Sequence, residues 1–180
     1  MKTYVTYGFY MALVGFLLNL AFYFAGFHAD AAKLTSTQWI GTVLGLTSTV
    51  VVMFLGIRAR RADVPLTEDF GYGRSFLAGF LIVLFACLFS IVTTYLYFHV
   101  INPNALESMI QAKLNEIEAS GASGARLEQA ETMTRKMMGS APIFGAIGFC
   151  IGLIFGTLIA LVVAIFTRRK AIEAVPPLAA

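Results

Sequence analysis

The sequence predicts an all-α, polytopic membrane protein: four transmembrane helices with an extramembrane helical hairpin between the third and fourth spans, forming a single membrane domain over residues 1–180. Three observations carry that prediction. Hydrophobic residues are 58% of the chain and charged residues 13%, against about 45 to 50% and about 25% in ordinary soluble domains. Four apolar runs, about 4–27, 38–57, 76–100 and 141–167, contain no Asp, Glu, Lys or Arg, and each is close to the roughly 20 residues a helix needs to cross hydrocarbon. The one long polar segment, about 103–139, carries apolar residues at helical spacing.

The first run is Tyr4 to Phe27. Lys2 before it and Ala29-Asp30-Ala31 after it make a cleaved signal peptide the rival reading, but the run is longer than an h-region of about 7 to 15 residues and reads as a span. Asn19 is the one amide deep in a span. An unpaired amide is costly in lipid, so Asn19 is expected to face another helix.

Trp39 opens the second run as an interfacial anchor. Gly41 and Gly45 are spaced for close helix packing, and Thr42, Thr47, Ser48 and Thr49 give this span a polar face, expected to turn inward. Arg58, Arg60 and Arg61 end the run and Pro65 interrupts it. Thr67 then offers an N-cap with Glu68 and Asp69 in the first turn, which predicts a short interfacial helix leading through Arg74 into the third run. The Gly71-Tyr72-Gly73 pair of glycines lacks a preceding strand and a following GK[ST], so it is not a phosphate loop.

Tyr95, Tyr97 and His99 finish the third run as an interfacial belt. Asn102-Pro103 reads as a cap followed by proline at the first helical position. Leu106, Met109, Ile110, Leu114 and Ile117 form one apolar stripe, Ser120 to Gly124 breaks it, and Leu127, Ala130, Thr134, Met137 and Met138 form another. The two stripes are expected to pack on each other; the alternative is that Met133, Met137 and Met138 present an adaptable surface to a partner or lipid. Gly139 ends the hairpin, Pro142 starts the last span, Arg168, Arg169 and Lys170 stop it, and the tail, about 171–180, reads as disordered.

Within the last span Gly148, Gly152, Gly156, Ala160 and Ala164 recur every fourth residue and line one helix face. Lipid provides no hydrophobic push between helices, so such a strip marks close packing against another backbone. The candidate partners are the Gly41 and Gly45 face, the Asn19 side of the first span, or a second copy of the chain.

Orientation follows from the basic residues. With the N-terminus inside, Lys2, Arg58, Arg60, Arg61, Arg74, Arg168, Arg169 and Lys170 share one face, while Lys33, Lys113, Arg126, Arg135 and Lys136 share the other with five glutamates of the hairpin. The positive-inside rule then puts both termini in the cytoplasm. Arg58, Arg60, Arg61, Arg74, Arg168, Arg169 and Lys170 are expected to meet lipid headgroups.

Chemistry is sparse. The chain has no HExxH, no Cys-His cluster and no nucleophile with a recognisable base, so the reading is non-enzymatic and calls for no cofactor. His28, Asp30 and His99 share the outer face, but three ligands from separate loops make a weak metal set. A net charge of +3 without a basic groove points away from nucleic acid. Cys87 and Cys150 sit in apolar runs as small hydrophobes. The spans carry no ionisable Asp, Glu, Lys or Arg, which argues against a proton-coupled pump. A small oligomeric channel lined by Asn19, Thr47, Thr49, Thr93 and Thr94 is the second functional reading.

The entry to the third span (Phe70 to Phe76), the exit Val100-Ile101-Asn102-Pro103, the hairpin broken at Ser120 to Ser123, and the glycine-rich last span ending in Arg and Lys together resemble the family known as domain of unknown function 4199, over about Tyr4 to Lys170. That resemblance implies a bacterial inner-membrane protein, most often of Bacteroidota, and an accessory role near envelope glycosyltransferases; it supplies no catalytic residues. The leading functional expectation is a scaffold or accessory subunit for a membrane partner, in lipid or as a homo-oligomer. A non-catalytic subunit of a glycan or lipid-carrier enzyme is the further alternative.

Overall fold

In hydrocarbon the backbone must satisfy its N–H and C=O groups within its own segment, so each apolar run is driven into a helix. The computed structural model describes residues 1–28, 31–139 and 141–171. Its helices are α1 (Lys2–Phe24), α2 (Ala31–Ala62), α3 (Tyr72–Leu96), α4 (Ala105–Ala119), α5 (Ala125–Met138) and α6 (Ala141–Thr167), with one π-helical turn, Tyr97–Ile101, continuing α3. Four of them, α1, α2, α3 and α6, are long and apolar enough to cross a membrane. This is an all-helical, multi-pass membrane protein. The tail expected to be disordered lies, from residue 172, outside the described residues, as do Ala29 and Asp30.

The run that begins at Tyr4 stops being helical at Phe24, three residues before its apolar end. Gly26 adopts φ +77°, a left-handed conformation open to glycine. Its N–H donates to Tyr23 O at 2.9 Å and the Phe27 N–H to Phe22 O at 3.0 Å, while the Phe27 and Phe22 rings lie 5.5 Å apart. That is a Schellman closure with its hydrophobic contact.

Helix α2 is longer than its apolar run at both ends. At the start, Ser36 and Thr37 return their hydroxyls to Lys33 O at 3.0 and 2.7 Å, so the polar turns hold as helix. At the end, Arg60 and Arg61 are held by tertiary partners described below. The short helix expected from Thr67 does not form. Residues 63–71 are a loop, because Phe70 is drawn into an antiparallel bridge with Arg169 and its ring is buried at 2% exposure. Nor does Asn102 cap α4. Its amide donates to Tyr97 Oη at 3.4 Å, and the helix begins after Asn104.

Helix α3 is the centre of the bundle and packs on α1, α2 and α6. Near the basic face α2, α3, α6 and the loop before α3 meet in a core of Met53, Ile57, Phe70, Ile82, Val83, Ala160 and Val163, against which Tyr4, Tyr7 and Met11 of α1 pack. Glycine sets how closely they meet. A Cβ on Gly8 would stand 2.6 Å from Phe85 Cβ and 3.0 Å from Ala86 N, and one on Gly56 would stand 2.7 Å from Ile82 Cδ1. The strip of α6 packs on α3: a Cβ on Gly156 would fall 2.4 Å from Val83 Cγ1, and Ala160 faces Gly79. Ala160 and Ala164 are fully buried. Thus the partner of the strip is α3, which was not among the candidates read from the sequence, and its contact is confined to one half. Gly152 meets only Cys87 Sγ, at 3.3 Å, and Gly148 meets nothing within 4 Å.

A polar clasp closes the basic face. Arg61 Nη1 donates to Thr167 O at 3.2 Å, satisfying a terminal carbonyl of α6. The Phe70 and Arg169 backbones exchange bonds of 2.9 and 2.8 Å, and Arg169 Nη2 donates to Val64 O and Pro65 O, each at 2.9 Å. Buried Ser75 and Thr167 join their hydroxyls inside the clasp. Several arginines expected on lipid headgroups therefore have partners within the protein: Arg60 on Tyr4 and Asp63, Arg61 and Arg169 on carbonyls, Arg74 on Glu68. The last carbonyls of a helix and a loop without secondary structure need donors, and guanidinium is the best supplied one nearby. Arg58, Arg168 and Lys170 remain exposed, Arg58 resting 5.7 Å over the Phe54 ring.

On the opposite face α4 and α5 pack together, and α4 also lies against α2. Ile110 and Ala105 are each 3% exposed, whereas no residue of α5 is buried, and Met133 and Met137 stay exposed. Arg135 of α5 forks onto both carboxylate oxygens of Glu107 of α4 at 3.0 Å.

Candidate functional site

Away from the packed basic face, the bundle holds a half-open cavity of about 760 Å³. Its floor is the apolar packing around Met11, Val83 and Ile159, and Ala105 and Met109 of α4 form its roof. Among the described residues neither Asp, Glu, Lys nor Arg lines it. The volume lies within the range of small-ligand pockets, about 300 to 1,000 Å³.

Four hydroxyls of the lining share one bias. Thr42 donates to Gln38 O at 2.9 Å, Ser48 and Thr49 donate to Gly45 O at 2.9 and 2.8 Å, and Thr93 donates to Ser90 O at 3.2 Å. With their protons spent on their own helices, these hydroxyls present lone pairs to the cavity. Asn19 also lines it, exposed and without a hydrogen-bond partner among the described residues. The expectation that Asn19 packs on another helix gives way: the amide borders the open space of the cavity, whose other walls include α2 and α3. Gly41 and Gly45 also line the cavity, with no backbone against them; the nearest atoms to a Cβ on Gly41 are in the Phe22 ring at 3.9 Å, and Gly45 has none within 4 Å.

The mouth is tied by three side chains. Asn102 donates to Tyr97 Oη, and Tyr97 Oη is hydrogen-bonded in turn to His28 Nδ1. If the phenol accepts from the amide, its own proton serves the imidazole, which places the His28 proton on Nε2. Burial agrees, since it lowers the His28 pKa and favours the neutral ring. Tyr97 was expected in the interfacial belt with Tyr95 and His99. It is instead 6% exposed, at the start of the π-helical turn, where its hydroxyl is held by Asn102 and His28. Tyr95 and His99 stack with ring centroids 4.3 Å apart, and Tyr95 is exposed.

Four of the five residues drawn as a pore lining, Asn19, Thr49, Thr93 and Thr94, come together here within one chain; Thr47 does not. The cavity ends at the buried core and does not run through to the basic face. Ser90, Tyr97, His28 and Phe155 are lining residues that sequence reasoning passed over. Ser90 precedes Thr93 and Thr94 by three and four positions, a spacing that puts all three on one helix face and was a usable signal. Among the described residues no three His, Cys, Asp or Glu side chains gather, and Cys87 and Cys150 are free thiols, Cys87 in the cavity wall.

The family model described as Protein of unknown function (DUF4199) matches residues 6–169, which takes in all four spans and the hairpin. No curated protein and no solved structure matches the chain.

Proposed function

This chain belongs to the DUF4199 family, and from that premise we propose that it is a non-enzymatic accessory protein of a bacterial inner membrane, both termini cytoplasmic, which holds an uncharged amphiphile for a membrane or cell-envelope partner. The cavity is the observation that carries this reading. Its apolar floor suits a hydrocarbon chain, its hydroxyl-bearing upper wall suits a group that donates hydrogen bonds, and the lack of charge among its described lining residues disfavours an ion or an ionised solute. The cavity is only half enclosed, which leaves a lipid-soluble molecule a way in. The basic clasp on the N-terminal face supports the orientation through the positive-inside rule.

The test is photolabelling in native membranes with a long-chain alcohol bearing a diazirine near the middle of its chain. Label is expected on peptides containing Met11 and Phe155, displaced by unlabelled long-chain alcohol. Ser90→Leu combined with Thr49→Leu fills the cavity and should cut labelling about tenfold, the consequence of losing roughly 1.4 kcal/mol of binding. Uniform labelling of lipid-facing α2 and α6, unaffected by the double substitution, would remove the basis of the proposal.

A further inference from the structure

A second cavity, of about 460 Å³, opens on the basic face between the first turn of α1, the last turn of α2 and the first turn of α3. Its wall carries Tyr4, Arg60, Asp63, Glu68, Arg74 and Leu77. The two guanidinium groups and two carboxylates sum to zero charge, and they alternate in pairs: Arg60 with Asp63 at 3.5 Å, Arg74 with Glu68 at 3.0 Å. All four side chains are between 35 and 56% exposed. Ion pairs this open are held by little energy. Each guanidinium has five N–H donors. Among the described residues the bonds use only Nε and Nη1 of Arg60, to Tyr4 and Asp63, and Nη1 of Arg74, to Glu68 and Asp69 O.

We propose that this cavity is a binding site for the headgroup of a membrane phospholipid that carries both a phosphate and a primary ammonium, the phosphoethanolamine class. The phosphate matches the guanidinium donors, which bind phosphate through paired N–H groups. The ammonium has three donors and no acceptor, and Asp63 and Glu68 are the acceptors beside it. An anionic headgroup uses the arginines and leaves the carboxylates opposed to it. A quaternary ammonium has no N–H to donate and is held by aromatic cages; here the aromatic residues are Tyr4 and Phe70, and Phe70 is 2% exposed. A lipid is favoured over a free solute by position. The site lies where three spans leave the hydrocarbon, and Leu77, 52% exposed, stands one helical turn from Arg74 on the membrane side, where acyl chains run. This site is independent of the alcohol-binding cavity on the other half of the bundle.

Native mass spectrometry of the full chain in mild detergent tests the proposal, using phosphatidylethanolamine, its N-methyl and N,N-dimethyl derivatives, phosphatidylcholine and phosphatidylglycerol with identical acyl chains. Retention is expected to fall stepwise with methylation, to about a tenth at phosphatidylcholine, and to be about tenfold weaker for phosphatidylglycerol than for phosphatidylethanolamine. Arg74→Gln and Glu68→Gln should each reduce phosphatidylethanolamine retention about tenfold; the methylation series makes the same point in the unaltered protein should either variant fold poorly. Equal retention across the series, or a preference for phosphatidylglycerol, overturns the proposal. Competition by soluble glycerophosphoethanolamine at equal concentration overturns the lipid as occupant.

Discussion

At Gly156 the hydrogen in place of a side chain is what lets α6 reach α3. A Cβ there would sit 2.4 Å from Val83 Cγ1 and 2.9 Å from Cγ2, and Val83 is β-branched, with little rotamer freedom to give way. Gly148, two turns away in the same strip, has no neighbour within 4 Å. Gly156→Leu is therefore expected to destabilise the protein by about 3 kcal/mol or more, while Gly148→Leu stays within about 0.5 kcal/mol. Thermal unfolding midpoints of the two variants in one detergent check this, and equal shifts would contradict the half-packed strip. The four-residue period was legible in the sequence; which half of it mattered was not, because the periodicity is the same whether a helix lies against it or not. Gly8, Gly56 and Gly79 carry close contacts of the same kind with no periodic signal at all, since each is an isolated point where two helices cross. The arginines show a similar limit. Their clustering at span ends could be read directly, but whether a guanidinium faces lipid or a carbonyl more than 100 residues away in sequence depends on how the ends of α2 and α6 are brought together.

The hairpin is the element whose stability is most exposed to solution conditions. Its two helices have opposed stripes, as their spacing indicates, but the link that fixes one to the other is the fork of Arg135 on Glu107. That guanidinium, and after it the Gln111 amide, holds the Glu107 carboxyl below its ordinary value of 4.5. A carboxylate with a lowered folded pKa contributes stability that is fully present above its unfolded value and is lost as pH falls through the folded one. Acidification below about pH 4.5 should therefore speed amide hydrogen exchange in α4 and α5, and Glu107→Gln should raise exchange at neutral pH and flatten this part of the pH response. An identical pH profile in wild type and variant would show that the fork does not join the hairpin. The loop before α3 and the end of α2 share one cause. Local preference ends where a distant partner takes over the same backbone or side-chain groups, as Arg169 does with Phe70 and Thr167 with Arg61.

Across the whole molecule, packing is concentrated at the basic face and thins toward the hairpin. The buried core and the clasp lie at one end, the 760 Å³ cavity at the other. Local stability should follow that gradient. Hydrogen exchange in lipid nanodiscs is expected to be slowest in α3 around Ala78 to Val83 and in α6 around Ala160 to Val163, and faster in α6 from Ile143 to Gly148; uniform protection along α6 would contradict it. The sequence by itself determined the helical class, the four apolar spans, the hairpin and the gathering of basic residues on one face, because hydrocarbon forces backbone hydrogen bonds to be local and run length and charge decide the rest. Only the tertiary structure decided that the small-residue strip meets α3, that Asn19, Ser90 and the span threonines surround one cavity, and that the arginines lock the opposite end. Those outcomes depend on the crossing of helices, and between apolar spans in lipid the crossing is chosen by shape complementarity over many residues at once, which no single run of sequence contains.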